Sequence, residues 1–189
     1  VLEYIMLISG NINSGLAGAL YNLYPDATYC SRDTGYDLTL GKDQHRFAEL
    51  ACEHDVVIIN AALWKFQQTV LLDEVYKKLV SERHRAHVIA IGSTTDRVKN
   101  GKAWRYNAEK KALRDYSNTL AIGGVWSTAP KVSYISFGTL SNNKHKHPDR
   151  ECMDIDSAAQ YIKWLIDQPK CVNINEISID PMQDEYWYD

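Results

Sequence analysis

The chain has 189 residues, 45% of them hydrophobic and 24% charged, enough to bury a core and few enough for a single domain. A formal net charge of -3 gives no overall basic field for nucleic acid or an anionic membrane. No apolar run approaches the roughly 18 residues that span a bilayer, and the first residues lack the order of a secretion signal. The expectation is a soluble, cytoplasmic protein with no nucleic-acid or membrane partner.

The chain opens on residues 4–9, "YIMLIS", an apolar run that predicts a strand buried on both faces. Next comes "SGNINSGLAGAL", whose Gly10, Gly15 and Gly18 precede or open a helix predicted over residues 15–23. Two readings are open here: a glycine-containing turn, or a backbone shaped for a pyrophosphate at a helix start.

Residues 27–30 predict a second strand, followed by "SRD". Arg32 stands where a side chain would meet an adenosine ribose; an arginine suits a 2′-phosphate, while the neighbouring Asp33 suits free hydroxyls. The alternative is a solvated arginine in a turn. "YDLTL" follows at once, so the second crossover is abbreviated.

A helix over residues 44–53, a strand over 55–60 ("DVVIIN"), a helix over 67–80 and a strand over 87–92 ("HVIAIG") continue the alternation. A helix over 106–120, a strand over 132–136, a helix over 157–167 and a strand over 174–179 complete it. This is an α/β pattern: a three-layer, doubly wound parallel sheet of Rossmann-like type, with helices on both faces. Residues 1–182 form the expected domain, and 183–189 an acidic, aromatic tail.

Such sheets bind ligands beyond the carboxyl ends of their strands. Ser93 ends the strand "HVIAIG", and Tyr106 and Lys110 lie one turn apart on one face of the next helix. A tyrosine–lysine pair is expected by chance in this composition; the serine at a fixed distance, at the end of a buried strand, is what gives it meaning.

With these residues the chain resembles the short-chain dehydrogenase/reductases. The resemblance rests on Ser93 thirteen positions before Tyr106, on "YNAEK" with its small Ala108, and on "INAA" where the family has an Asn-Ala-Gly strand end. "DLT" after the third-strand position, "ISFGTL" after the lysine and the closing "INEISIDP" extend it. It implies that Tyr106 is the general acid/base, that Lys110 lowers its pKa and holds the nicotinamide ribose, and that Ser93 orients the substrate oxygen. It also implies a cofactor site of Gly10, Asn11, Ser14, Gly15, Leu16, Arg32, Asp37, Leu38, Asn60, Ala61, Ala62, Lys110, Phe137, Gly138 and Thr139. Arg32 favours NADP(H) over NAD(H). The expected substrate is a small-molecule carbonyl or alcohol, and a homodimer is the usual family assembly. A non-catalytic dinucleotide-binding sensor on the same fold is the alternative.

The chain departs from the family at several points. Gly10 and Gly15 stand one residue further apart than usual, Ala17 occupies the third glycine's place, and Phe137 replaces a proline. The helix before Ser93 has no matching asparagine, and Gln67 or Gln68 is the nearest substitute. The short span between Gly138 and the helix at Ser157 predicts an open pocket or one closed by a second subunit. Trp104 and Trp126 flank the site in sequence and fit either a pocket wall or core packing. Two histidines in "NKHKHPDR" and four scattered cysteines, Cys30, Cys52, Cys152 and Cys171, form no metal-ligand pattern, so no metal is expected.

Overall fold

The computed structural model describes residues 4–97, 104–125 and 128–182. The tail expected at 183–189, and Trp126, lie outside the described residues. Six strands form one parallel sheet: β1 (Met6–Ser9), β2 (Thr28–Cys30), β3 (Val56–Ile59), β4 (His87–Ser93), β5 (Lys131–Phe137) and β6 (Glu176–Ile179). Their spatial order is β2-β1-β3-β4-β5-β6. All five pairings are parallel.

The apolar runs became central strands because each residue has a helix layer above or below it. β1 and β3 are buried along their whole length. On one face, α2 (Gly41–Ala51), α3 (Gln67–Ser81) and α4 (Arg105–Val125) supply Phe47, Leu71, Leu72, Val75, Leu79, Leu113 and Leu120 to a core with Leu7, Val57, Val88 and Tyr134. On the other, α1 (Gly15–Leu23) and α5 (Ile155–Ile166) pack Leu16, Leu20, Ile162 and Leu165 against Ile8, Ile58, Ile89 and Ile135. Burying a side chain of this kind contributes about 1.5–3 kcal/mol against exposure. The result is the expected three-layer, doubly wound architecture.

Two helices differ from their predicted limits by three residues or more at one end. α2 begins at Gly41, with Asp43 in its first turn, because the chain is turned into it by Asp37, whose Oδ1 accepts from the Thr39 amide and hydroxyl at 3.1 and 2.7 Å. α4 continues past Leu120, its expected end, with Ala121 buried against the sheet. One placement needs correction. "DLT" (Asp37, Leu38, Thr39) does not follow a third strand but lies between a 3-10 turn at Arg32–Thr34 and α2. Gly35, at φ 83°, ends that turn and sends the chain directly to α2. Among the described residues, no helix is long and apolar enough to cross a membrane.

Candidate active site

The chain leaves β1 for β2 on one side and returns through β3 on the other, so β1 and β3 flank the switch point where doubly wound sheets bind ligands. The Ser9 hydroxyl fastens the two strand ends together. It accepts from the Asn60 and Ala61 amides at 2.9 and 3.0 Å. Gly10, at φ 146°, leaves β1 beneath Ala17 and Asn60; a Cβ there would lie 2.7 Å from each.

The extra residue between Gly10 and Gly15 is taken up by a turn. Ser14 N–H donates to Asn11 O at 3.2 Å, and Asn13 N–H to Asn11 Oδ1 at 2.8 Å. Gly15, at φ 56°, then opens α1, with Leu16 buried in its first turn. Ser14, the residue before the helix, makes no side-chain capping bond, and the first-turn amides of a helix have no partner within the helix itself. The chemistry of this corner therefore suits an anion. Arg32 is exposed in the turn after β2. Beside it, Asp33 accepts a hydrogen bond from Asn11 Nδ2 at 2.5 Å, so Asn11 and the Arg32–Asp33 turn are neighbours. Asp37 and Leu38 lie farther along, at the entry to α2; Leu38 is buried and its carbonyl accepts from Gln44.

Ser93 ends β4, opposite Phe137 at the end of β5. Three contacts fix the turn that follows it. Ser93 Oγ accepts from Thr95 Oγ1 at 3.1 Å, Asn107 Nδ2 donates to Thr95 O, and Tyr134 Oη donates to Asp96 Oδ2 at 2.8 Å. The tyrosine reaches Asp96 only because position 92 is glycine: a Cβ there would lie 1.9 Å from Tyr134 Oη. Asp96 is buried, and its Oδ1 has no hydrogen-bond partner among the described residues. Burial, chiefly, raises its carboxyl pKa.

Tyr106 and Lys110 belong to the sheet-facing stripe of α4, which continues through the buried Leu113, Ser117 and Leu120. That stripe explains why a lysine is only 5% exposed. The structure brings all three predicted residues together: Ser93 lies close enough to the Tyr106 phenol to offset part of the effect of its burial, and the Lys110 ammonium sits 5.5 Å from the Tyr106 ring centre. Burial lowers the Lys110 pKa from 10.5 to about 8. Its hydrogen-bond partner is Gln68, whose Oε1 accepts from Lys110 Nζ at 2.6 Å. Gln68 is itself held by the Ile59 and Ile91 carbonyls, which accept from its Nε2 at 3.0 and 2.8 Å. Gln67 turns away and accepts from Gln44.

Burial raises the Tyr106 phenol pKa, and Ser93 only partly offsets it. The Lys110 ammonium sits over the Tyr106 ring and is engaged by Gln68.

Phe137, Gly138 and Thr139 form the turn leaving β5. Phe137 is buried, and Gly138 N–H donates to Ile179 O at 2.8 Å. A Cβ on Gly138 would lie 2.5 Å from Pro181. The chain then folds on itself, with Met153 N–H donating to Thr139 O and Ser141 N–H to Met153 O, both at 2.8 Å. No α-helix occupies this span; its one helical segment is a 3-10 turn, Ser141–Lys146, that holds Lys144, His145 and Lys146. The four cysteines are free thiols.

Sequence reasoning did not single out Trp64, whose ring centre lies 5.3 Å from that of Tyr106. Its position three residues after Ala61 was the available signal.

The sequence matches no protein-family model and none of the curated proteins compared with it. Among solved structures, it is similar to serine dehydrogenase from Escherichia coli, with a TM-score of 0.71 and 17% identity over 93% of this chain and 96% of that one. A short-chain dehydrogenase from Burkholderia cenocepacia in complex with NADP gives a TM-score of 0.73 and 14% identity, over 92% and 87%. A 4-hydroxyisoleucine dehydrogenase mutant complexed with NADH and succinate gives 0.73 and 18%, over 96% and 98%. The chain has the fold of the short-chain dehydrogenase/reductases.

Proposed function

We propose that this chain is a short-chain dehydrogenase/reductase-type enzyme, an NADP(H)-dependent oxidoreductase that interconverts a small-molecule carbonyl and its alcohol, with residues 1–182 forming the catalytic domain. The observation that carries this reading is the meeting of Ser93, Tyr106 and Lys110 at the carboxyl edge of a doubly wound sheet. A bound nicotinamide dinucleotide would supply the hydride chemistry.

Tyr106 donates the proton to the substrate oxygen in reduction and removes it in oxidation. Its raised pKa keeps the phenol protonated at neutral pH, the form that reduction requires. Ser93, beside the Tyr106 phenol, orients the substrate oxygen. Lys110 holds the nicotinamide ribose, and Gln68 keeps its ammonium in place. Gly10, Asn11, Ser14, Gly15 and Leu16 hold the pyrophosphate, while Asn60, Ala61 and Ala62 with Phe137, Gly138 and Thr139 line the nicotinamide half.

Arg32 holds a 2′-phosphate, with Asp37 and Leu38 on the adenosine side. The Asn11 contact to Asp33 supports this preference, because it engages the carboxylate that free ribose hydroxyls would need. Titration with NADPH and NADH, followed by a carbonyl screen with the preferred cofactor, tests the proposal. Turnover of a carbonyl compound is the expected result, and absence of dinucleotide binding overturns it.

A further inference from the structure

Two tryptophans lie close to Tyr106. Trp64 and Trp104 place their ring centres 5.3 and 5.5 Å from the tyrosine ring, tilted by 49° and 40°. Both residues are exposed, Trp64 at 61% and Trp104 at 47%. Tryptophans used for core packing bury this area; these two keep it beside Tyr106, with Phe66 also exposed next to Trp64 in sequence.

The backbone holds Trp64 in place under strain. Lys65 and Phe66, neither of them glycine, both adopt left-handed conformations, at φ 60° and 62°. Gln67 N–H closes this turn on Trp64 O at 3.2 Å, and α3 follows directly. Strain of this sort persists where the surroundings fix it, often at ligand-binding positions.

The charges nearby narrow the choice of ligand. An aromatic cluster could attract a cation, but the Lys110 ammonium already lies 5.5 Å from the Tyr106 ring. Glu109 is buried and paired with Arg105 at 2.9 Å, and Asp96 is buried beneath the turn after Ser93. Both carboxylates are buried, and Glu109 is neutralised by the Arg105 Nε contact, so neither stands free for a cationic ligand.

We propose that Trp64 and Trp104 form an aromatic clamp that selects a neutral, planar aryl carbonyl compound, or the corresponding aryl carbinol, as the ligand presented to Tyr106. This rests on the oxidoreductase reading for the fate of the ligand, and on the aromatic geometry alone for its recognition.

The test is calorimetric binding of acetophenone and of cyclohexyl methyl ketone, each with and without saturating NADP+. Oxidised cofactor cannot reduce either ketone, so binding is read without turnover. Acetophenone is expected to bind roughly fivefold tighter than its saturated counterpart, and the Trp64→Leu/Trp104→Leu variant should lose that preference. Because both side chains are exposed, the variant is expected to keep the wild-type fold, checked by its circular dichroism. Affinities equal within about twofold, or a preference retained by the variant, overturn the inference. NADP+ binding without aryl preference overturns the clamp but leaves the oxidoreductase reading. Aryl preference without NADP+ binding supports the clamp and removes that reading.

Discussion

Lys110 and Gln68 are joined by a 2.6 Å hydrogen bond in the interior of the protein. The glutamine amide is fixed by the Ile59 carbonyl at the end of β3 and the Ile91 carbonyl within β4, so the lysine is positioned relative to the sheet and not only by its own helix. Replacing Gln68 with leucine removes the acceptor for a buried ammonium and the donor for two carbonyls. The expected cost is about 2–4 kcal/mol of stability. Loss of a bond to the charged form also moves the Lys110 pKa further down. Denaturant unfolding reads the first effect, and the alkaline limb of a pH–rate profile reads the second; an unchanged midpoint would contradict the Gln68 assignment.

Burial of Lys110 makes stability depend on pH. Its pKa is about 8 when folded, against an ordinary 10.5. Between these values the unfolded chain holds more protons, so stability rises with pH through this window, and the burial penalty is fully present below it. The shift corresponds to roughly 3 kcal/mol. Unfolding free energies of wild type and Lys110→Met, compared between pH 8 and 10.5, should converge or cross in favour of wild type as pH rises. Parallel curves would contradict the burial of a charged lysine.

Removing the Tyr106 hydroxyl separates catalysis from binding. Tyr106→Phe is expected to lower turnover by roughly 10²–10⁴-fold while changing dinucleotide affinity little. Steady-state kinetics and equilibrium binding on the same preparation check both. A cofactor sensor would show no such separation, because it needs no proton donor.

Gly10 offers a test of the other half of the site. Alanine there would meet Ala17 and Asn60 at 2.7 Å and would be strained at φ 146°. Strain alone costs about 1–3 kcal/mol, and displacement of the turn should abolish dinucleotide binding. Thermal unfolding with and without NADPH measures both; retained binding in Gly10→Ala would remove the turn from the cofactor site.

The order of the elements was legible in the sequence because runs such as "DVVIIN" and "HVIAIG" are apolar at every central position, Val56–Ile59 and Val88–Ile91, which only strands covered on both faces require. The meeting of Ser93, Tyr106 and Lys110 was legible too, since a strand end and one helix turn define their separation. The placement of Asp37 was not, because the absence of a strand beside β2 follows from a local Asp37–Thr39 turn that propensity does not reveal. Tyr106's raised pKa and Gln68's contact with Lys110 depend on burial between α3 and α4. Trp64 was missed for a related reason: its approach to Tyr106 follows from two left-handed residues, and neither Lys65 nor Phe66 is a residue type that signals such a turn.

The most direct test of the central claim is calorimetric titration of the purified protein with NADPH and, separately, NADH. The account predicts saturable binding of both, with NADPH roughly tenfold tighter, a difference of about 1.4 kcal/mol, and loss of that preference in Arg32→Ala. Binding of neither dinucleotide at millimolar concentration would contradict the oxidoreductase assignment.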